Sequence, residues 1–423
     1  MDYADSGSPD TPPATLNQTP VRGWAVLLLY RLQWSSIILT SYTFGIFLPF
    51  IREDLGLSNF EAGVLQGTWW ATFAALALPF GSWFSKFSPS RMVLISLALA
   101  IPFLFLQGAS SGFITLLIFR LFFVAAHVLS FPSRTLLFQQ WAAPRQFATI
   151  SGIGASQHAL LLAISVTTSA LLINIVDSWR IAYFIQGGSL VIQLVAWIVV
   201  AKESRAPQAH IQVTLMEEPS KPLDTLRAYP QAWMLSLTGF GLSATWTALV
   251  TFLPTLWTDK YDIPIVTGGL LLGFLYFALV PGCFFSGYVS KRTQNRGLLL
   301  WIPALLNVIL GIAIILTPNA YGIAALLTCM GLLWVVSPIW HIMPFEFPGI
   351  RPREVAVVSA LFWTFSALGF AAGPLITGLL ADLTGSLETG LIVATMATSV
   401  GIVSGLLYTR FSSSLKPKPK LRA

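Results

Sequence analysis

Three basic side chains stand inside a stretch of sequence long and apolar enough to cross a membrane. Between Phe113 and Gln140 these are Arg120, His127 and Arg134, spaced seven and seven. Seven residues is two helical turns to within about 20°, so on a continuous helix all three share one face, each about 10 Å beyond the last. A charge at bilayer depth is costly and normally faces a bundle interior or a watery cavity. Either the stripe walls such a cavity, or Arg120 and Arg134 sit near opposite ends and snorkel to the two interfaces.

The sign of these groups limits the chemistry. An arginine offers a planar fork that pairs two oxygens of a carboxylate, nitrate or phosphate. All seventeen acidic residues map to tails, turns or helix ends, with Glu61, Glu346 and Asp382 at run boundaries. A dehydrated Arg120 with no buried acid beside it is therefore expected to need an anionic substrate as partner. A cationic or neutral solute gains little from this arrangement.

The elements that must hold these groups are membrane helices. The chain has 423 residues, 55% hydrophobic and 10% charged, with a mean hydropathy of +0.74. A soluble domain carries about 25% charged residues. Runs of about 20 apolar residues recur between short polar turns. They fall near 24–50, 61–84, 92–109, 113–138, 147–175, 180–201, 231–257, 266–289, 298–316, 321–344, 354–381 and 388–410. Twelve spans put both termini on one side. Lysine and arginine agree: eighteen lie in the tails, the central linker and the turns of that side, against Arg52, Arg180 and Lys260 opposite. This positive-inside bias predicts cytoplasmic termini in a cell membrane. The net charge of +7 is then topology and contact with anionic lipid, with no nucleic-acid partner implied.

The first residues are polar, acidic and proline-containing, lack the basic start of a signal peptide, and are expected to form a disordered tail. Cys283 and Cys329 sit in apolar runs and read as packed small hydrophobes, with no disulfide framework and no metal site. No cofactor is expected. No P-loop, H-E-x-x-H or G-x-S-x-G is present, which argues against an enzyme.

The linker divides the spans six and six, and the halves repeat. Phe47-Leu48-Pro49, Asp54 and Gly63 recur as Phe252-Leu253-Pro254, Asp259 and Gly268. Gly81 through Lys86 is echoed by Gly287 through Arg292, and Arg145, Ala148 and Ser151 by Arg353, Ala356 and Ser359. The expected plan is an all-α membrane protein of two pseudo-symmetric six-helix bundles related by an axis along the membrane normal. The segments are a tail (1–21), a bundle (22–202), a cytoplasmic linker (203–229), a second bundle (230–410) and a basic tail (411–423).

From Arg22 to Arg410 the sequence resembles the major facilitator superfamily. The stretch Gly81 to Arg91 is similar to that family's loop motif between the second and third helices, but Ser85 stands where the family has an acid and Ser88 where it has a second glycine. The resemblance implies a charged lock on this face, and these departures remove its acid. Gly81, Lys86, Arg91, Gly287 and Arg292 are the expected gating positions. Gly369, Gly373, Pro374 and Gly378 in the eleventh span read either as a gating kink or as a packing face.

In the resembled fold, spans one, four, seven and ten line a central cavity, with two, five, eight and eleven beside them. The unusual polar residues fall there: Arg31, Ser35 and Tyr42 in the first, the basic stripe in the fourth, His158 in the fifth, Trp246 in the seventh, and Trp334 and His341 in the tenth. Expected substrate contacts are thus Arg31, Tyr42, Arg120, His127, Arg134, His158, Trp246, Trp334 and His341. Each has a plainer alternative: Arg31 and His341 as interfacial anchors, His158 as a core histidine, the tryptophans as packing. With no mid-span acid for a proton relay, either His127 or His158 carries a coupling proton, or a counter-transported anion drives exchange. The leading expectation is a monomeric secondary transporter of a small anion working by alternating access. Export of amphipathic, drug-like compounds and a non-transporting scaffold or sensor are the alternatives.

Overall fold

The apolar runs are helical throughout the residues described by the computed structural model, 18–84, 87–143, 146–202, 222–350 and 352–414, and no strand occurs among them. Lys86 and most of the central linker lie outside these residues. Nine described helices are long and apolar enough to cross a membrane, and a bent pair, Val21–Tyr42 with Phe44–Leu55, makes a tenth. Taken in chain order, the described rods make twelve passages, consistent with the twelve spans expected. They form two six-helix bundles. Below, "proximal" is the face that carries the chain ends and linker, and "distal" is the opposite face.

Several spans are interrupted, which the sequence periodicity does not announce. The first bends by 44° at Thr43. The fourth was expected to run unbroken over 113–138, but it is Phe113–Val128 followed by Ser133–Trp141. Between them the ladder tightens to three-residue steps, Ser130 N to His127 O at 3.1 Å and Phe131 N to Val128 O at 3.0 Å. Pro132, which has no N–H to give, completes the break. The tenth span breaks at the matching place: Ala320–Leu333, a 3-10 turn Trp334–Val336, then Ser337–Ile342. The twelfth divides into Leu387–Met396 and Ser399–Ser414.

Between the halves, the second span packs on the eleventh, the fifth on the eighth, and the distal segment of the first on the seventh. This seam is distal, and glycine brings it to backbone contact. A Cβ on Gly45 would lie 2.3 Å from Val250 O, and one on Gly63 2.3 Å from Pro374 O. At the rim the carboxylate of Asp382, on the eleventh span, accepts from Asn59 N at 3.1 Å and Phe60 N at 2.8 Å. It thereby caps the second span from the other half, where the helix dipole favours a negative charge. Arg52 reaches Asp259 at 4.0 Å across the same rim.

The eleventh-span glycines form a packing face. A Cβ on Gly369 would sit 2.1 Å from Phe240 O, and one on Gly373 2.0 Å from Ala244 O, both on the seventh span. Pro374 offers its carbonyl to Gly63 on the other side, and the helix Pro352–Thr384 runs on without interruption. Gly373→Ala is therefore expected to destabilise the protein by about 1–3 kcal/mol through overpacking. Gly188→Ala, with open space around it, is expected to raise stability through helix propensity. Thermal unfolding in detergent checks both.

Candidate functional site

On the proximal side of the seam four basic residues converge from both halves. Arg31 of the first span lies across Gly154 of the fifth, where a Cβ would come within 2.8 Å of its Nε. The missing side chain at 154 is the bed for the guanidinium. One turn further along the first span, Ser35 Oγ bonds His158 Nδ1 at 2.9 Å. Arg134, on the proximal segment of the fourth span, lies within electrostatic reach of Arg31, of His158 and of His341. His341 belongs to the C-terminal half and stacks on Trp363 at 5.1 Å. Arg31, Arg134 and His158 are half-buried and His341 is exposed. Among the described residues no ion pair includes Arg31 or Arg134, so these like charges lie within reach of one another with no acid paired to either.

The fourth-span break places Arg134. The Tyr30 hydroxyl, next to Arg31 in sequence, donates to Ser130 O at 3.2 Å, inside that break. Deeper in, an aromatic layer joins the halves. Tyr42 meets Tyr276 edge-on at 5.9 Å, Trp246 meets Tyr276 at 5.7 Å and Trp334 at 4.6 Å, and Trp70 meets Phe370 at 4.4 Å. Tyr42, Trp246 and Trp334 thus share one layer, and the indole N–H of Trp334 has no partner among the described residues.

Arg120 and His127 lie elsewhere. Both are fully buried inside the N-terminal bundle. Arg120 Nε donates to Leu65 O at 2.8 Å and Nη2 to Gln66 Oε1 at 2.7 Å, its Nη1 is 3.5 Å from the Tyr183 hydroxyl, and its charge sits 4.3 Å over the Phe44 ring. Neutral dipoles and a π-face hold this cation, where the sequence led us to expect a substrate anion. His127 lies tilted against Trp34 at 4.4 Å and Trp69 at 6.0 Å, and neither ring nitrogen has a partner among the described residues. The seven-residue stripe therefore does not wall one cavity in this conformation, because the helix break separates Arg134 from the other two.

Of the expected gating positions, Arg91 is exposed beside the cap Ser88 provides, Arg292 lies 5.1 Å over the Tyr288 ring, and Gly287 has open space around it. Lys86 and the surroundings of Gly81 lie outside the described residues. The sequence reading missed a forked pair nearby: Arg296 Nε and Nη2 each reach Glu346 at 2.7 Å, tying the turn after the eighth span to the end of the tenth. Glu346 was noted only as a run boundary. It also missed Gly154 and Gln66. A buried glutamine in an apolar run, facing a span that carries an arginine, is a signal that could have found Gln66. Among the described residues no cluster of His, Cys, Asp or Glu could hold a metal.

Two bundles joined at one face, with a basic site between them, define a membrane transporter fold. The chain belongs to the Major Facilitator Superfamily, whose family model matches residues 34–374. It is 22% identical over 394 residues to a hexuronate transporter of Bacillus subtilis (strain 168), covering 88% of this chain and 90% of that one. It is 21% identical over 399 residues to a probable sulfoacetate transporter of Cupriavidus necator, covering 88% and 90%. A probable L-galactonate transporter of Escherichia coli (strain K12) is also 21% identical, covering 85% and 83%. Among solved structures, a bacterial homolog of the human lysosomal transporter Spinster, inward-facing and unoccupied, aligns with a TM-score of 0.79 at 15% identity, covering 95% and 99%. The nucleoside transporter NupG aligns with a TM-score of 0.70 at 11% identity, covering 94% and 100%. At these identities the structures establish the fold. The chain is a transporter of this family and not an enzyme.

Because Arg31 and Arg134 repel one another, Arg134→Gln is expected to raise the stability of the protein measured without added substrate by roughly 0.5–1 kcal/mol, as for other strained functional sites. The gain shrinks as salt screens the repulsion. Thermal unfolding at low and high ionic strength checks it.

Proposed function

We propose that this chain carries a small organic anion of the sugar-acid kind, held between Arg31 and Arg134 and exposed to one side of the bilayer at a time. The observation that carries the reading is the pairing of two half-buried guanidinium groups with no acid beside either among the described residues. A carboxylate or sulfonate between them removes their repulsion and takes charge-assisted bonds from both forks. His158 and His341 add donors around it, and the aromatic layer of Tyr42, Trp246 and Trp334 floors the site for the apolar face of a sugar ring. The named substrates of the relatives, a hexuronate, a sulfoacetate and a galactonate, are all anions of this class. Alternating access follows from a seam closed distally, about which the two halves rock. The lysine and arginine bias supports a cytoplasmic proximal face.

The test is uptake into proteoliposomes of labelled hexuronate, galactonate and sulfoacetate. Arg31→Gln and Arg134→Gln are each expected to raise KM about ten- to hundredfold, the loss of one bond to a charged group. Arg134→Lys is expected to recover part of it, a lysine keeping the charge but not the fork. Wild-type transport that no organic anion inhibits, or both glutamine variants transporting like the wild type, would sink the reading.

A further inference from the structure

Gln66 lies on the second span, 1% exposed, and its amide is used at both ends. Its Oε1 accepts from Arg120 Nη2 at 2.7 Å. Its Nε2 donates to Ser41 O at 2.9 Å and to Ser41 Oγ at 3.1 Å. A guanidinium has donors only, so Arg120 admits one orientation of the amide, with oxygen toward itself and nitrogen toward Ser41. Ser41 sits in the last turn of Val21–Tyr42, just before the 44° bend. A helix end leaves carbonyls without partners, and in hydrocarbon these need donors from within the protein. Gln186 Nε2 supplies a second donor at the same place, to Thr43 Oγ1 at 3.1 Å. The residue between, Tyr42, reaches Tyr276 of the other half. A cation on the fourth span thus orients an amide on the second, which fixes the turn that aims Tyr42.

We propose that Gln66, oriented by Arg120, is the positioning residue that sets Tyr42 across the seam and so sets how firmly the distal face closes. The proposal rests on the alternating-access reading of the two halves. Its test needs no cargo, so failure of the anion assignment leaves it decidable.

Thr251 of the seventh span is fully buried with its main chain against Gly45 of the first. In a Cys283→Ser, Cys329→Ser background, Thr251→Cys places a reporter thiol in the seam, read by a membrane-impermeant maleimide applied from the distal side. Gln66→Glu keeps an acceptor for Arg120 but loses the donor to Ser41. It is expected to raise the labelling rate about fivefold by shifting the population toward an open distal face, with unfolding temperature within a few degrees of the parent. Tyr42→Leu is expected to raise it similarly. Because both act through one contact, the double variant is expected to label no faster than the faster single one. An unchanged rate in Gln66→Glu overturns the proposal, as does a double variant whose increase is the product of the two. If Gln66→Glu yields no folded protein, Gln66→Met, which leaves Arg120 its bond to Leu65 O, takes its place with the same two outcomes.

Discussion

A backbone carbonyl released inside hydrocarbon must find its donor within the protein, and much of this architecture follows from that need. The first, fourth, tenth and twelfth spans are interrupted, and side chains from neighbouring spans attend three of these breaks. Gln66 serves the first through Ser41 O, and Gln186 bonds the Thr43 hydroxyl beside it. Tyr30 serves the fourth through Ser130 O. Thr245 of the seventh span reaches Ala394 O and Thr395 O of the twelfth, both at 3.2 Å. At the fourth and twelfth breaks the same carbonyls also accept backbone N–H groups, Ser133 N on Ser130 O and Ala397 N on Ala394 O, so the side-chain donors add to tightened turns that are already bonded.

The three arginines within the spans, Arg31, Arg120 and Arg134, divide into two populations under the same physics. Arg120 is surrounded on every side by dipoles and rings of its own bundle, so its charge is settled by the fold. Arg31 and Arg134 keep part of their surface open and face one another. One is a fixed internal strut of the bundle; the other two form a site whose electrostatics are incomplete.

What the sequence made legible was whatever depends on averages and repeats. Hydropathy over twenty residues located the spans, and the recurrence of Phe47-Leu48-Pro49 as Phe252-Leu253-Pro254 located the two halves. In the structure, Arg31, His158 and His341 all lie within electrostatic reach of Arg134, with no ion-pair partner for any of the four among the described residues. Arg31, Arg134, His158 and His341 were all named from the sequence, but the spacing grouped Arg120 and His127 with them, because a seven-residue spacing means one face only while the helix is whole. Pro132 stood in plain view between His127 and Arg134, and the break it completes takes Arg134 out of register with the other two. Bonds such as Ser35 to His158 or Gln66 to Arg120 join spans far apart in sequence, and local pattern carries no record of them. Gly154 is a further case: its role is a space for Arg31, and no single-chain pattern marks a space.

The cap on the second span has one more consequence. Asp382 belongs to one half and the helix end it covers to the other, and both stand at the wet rim of the seam. When they part, water at once takes up the bared amides and the carboxylate, so this fastening costs little to undo. The contacts further in, Gly63 on Pro374 and Gly45 on Val250, have no such solvent replacement until the rim has given way. The rim contacts can therefore exchange for water where they stand, whereas the glycine contacts further in are sealed from solvent as long as the rim is closed.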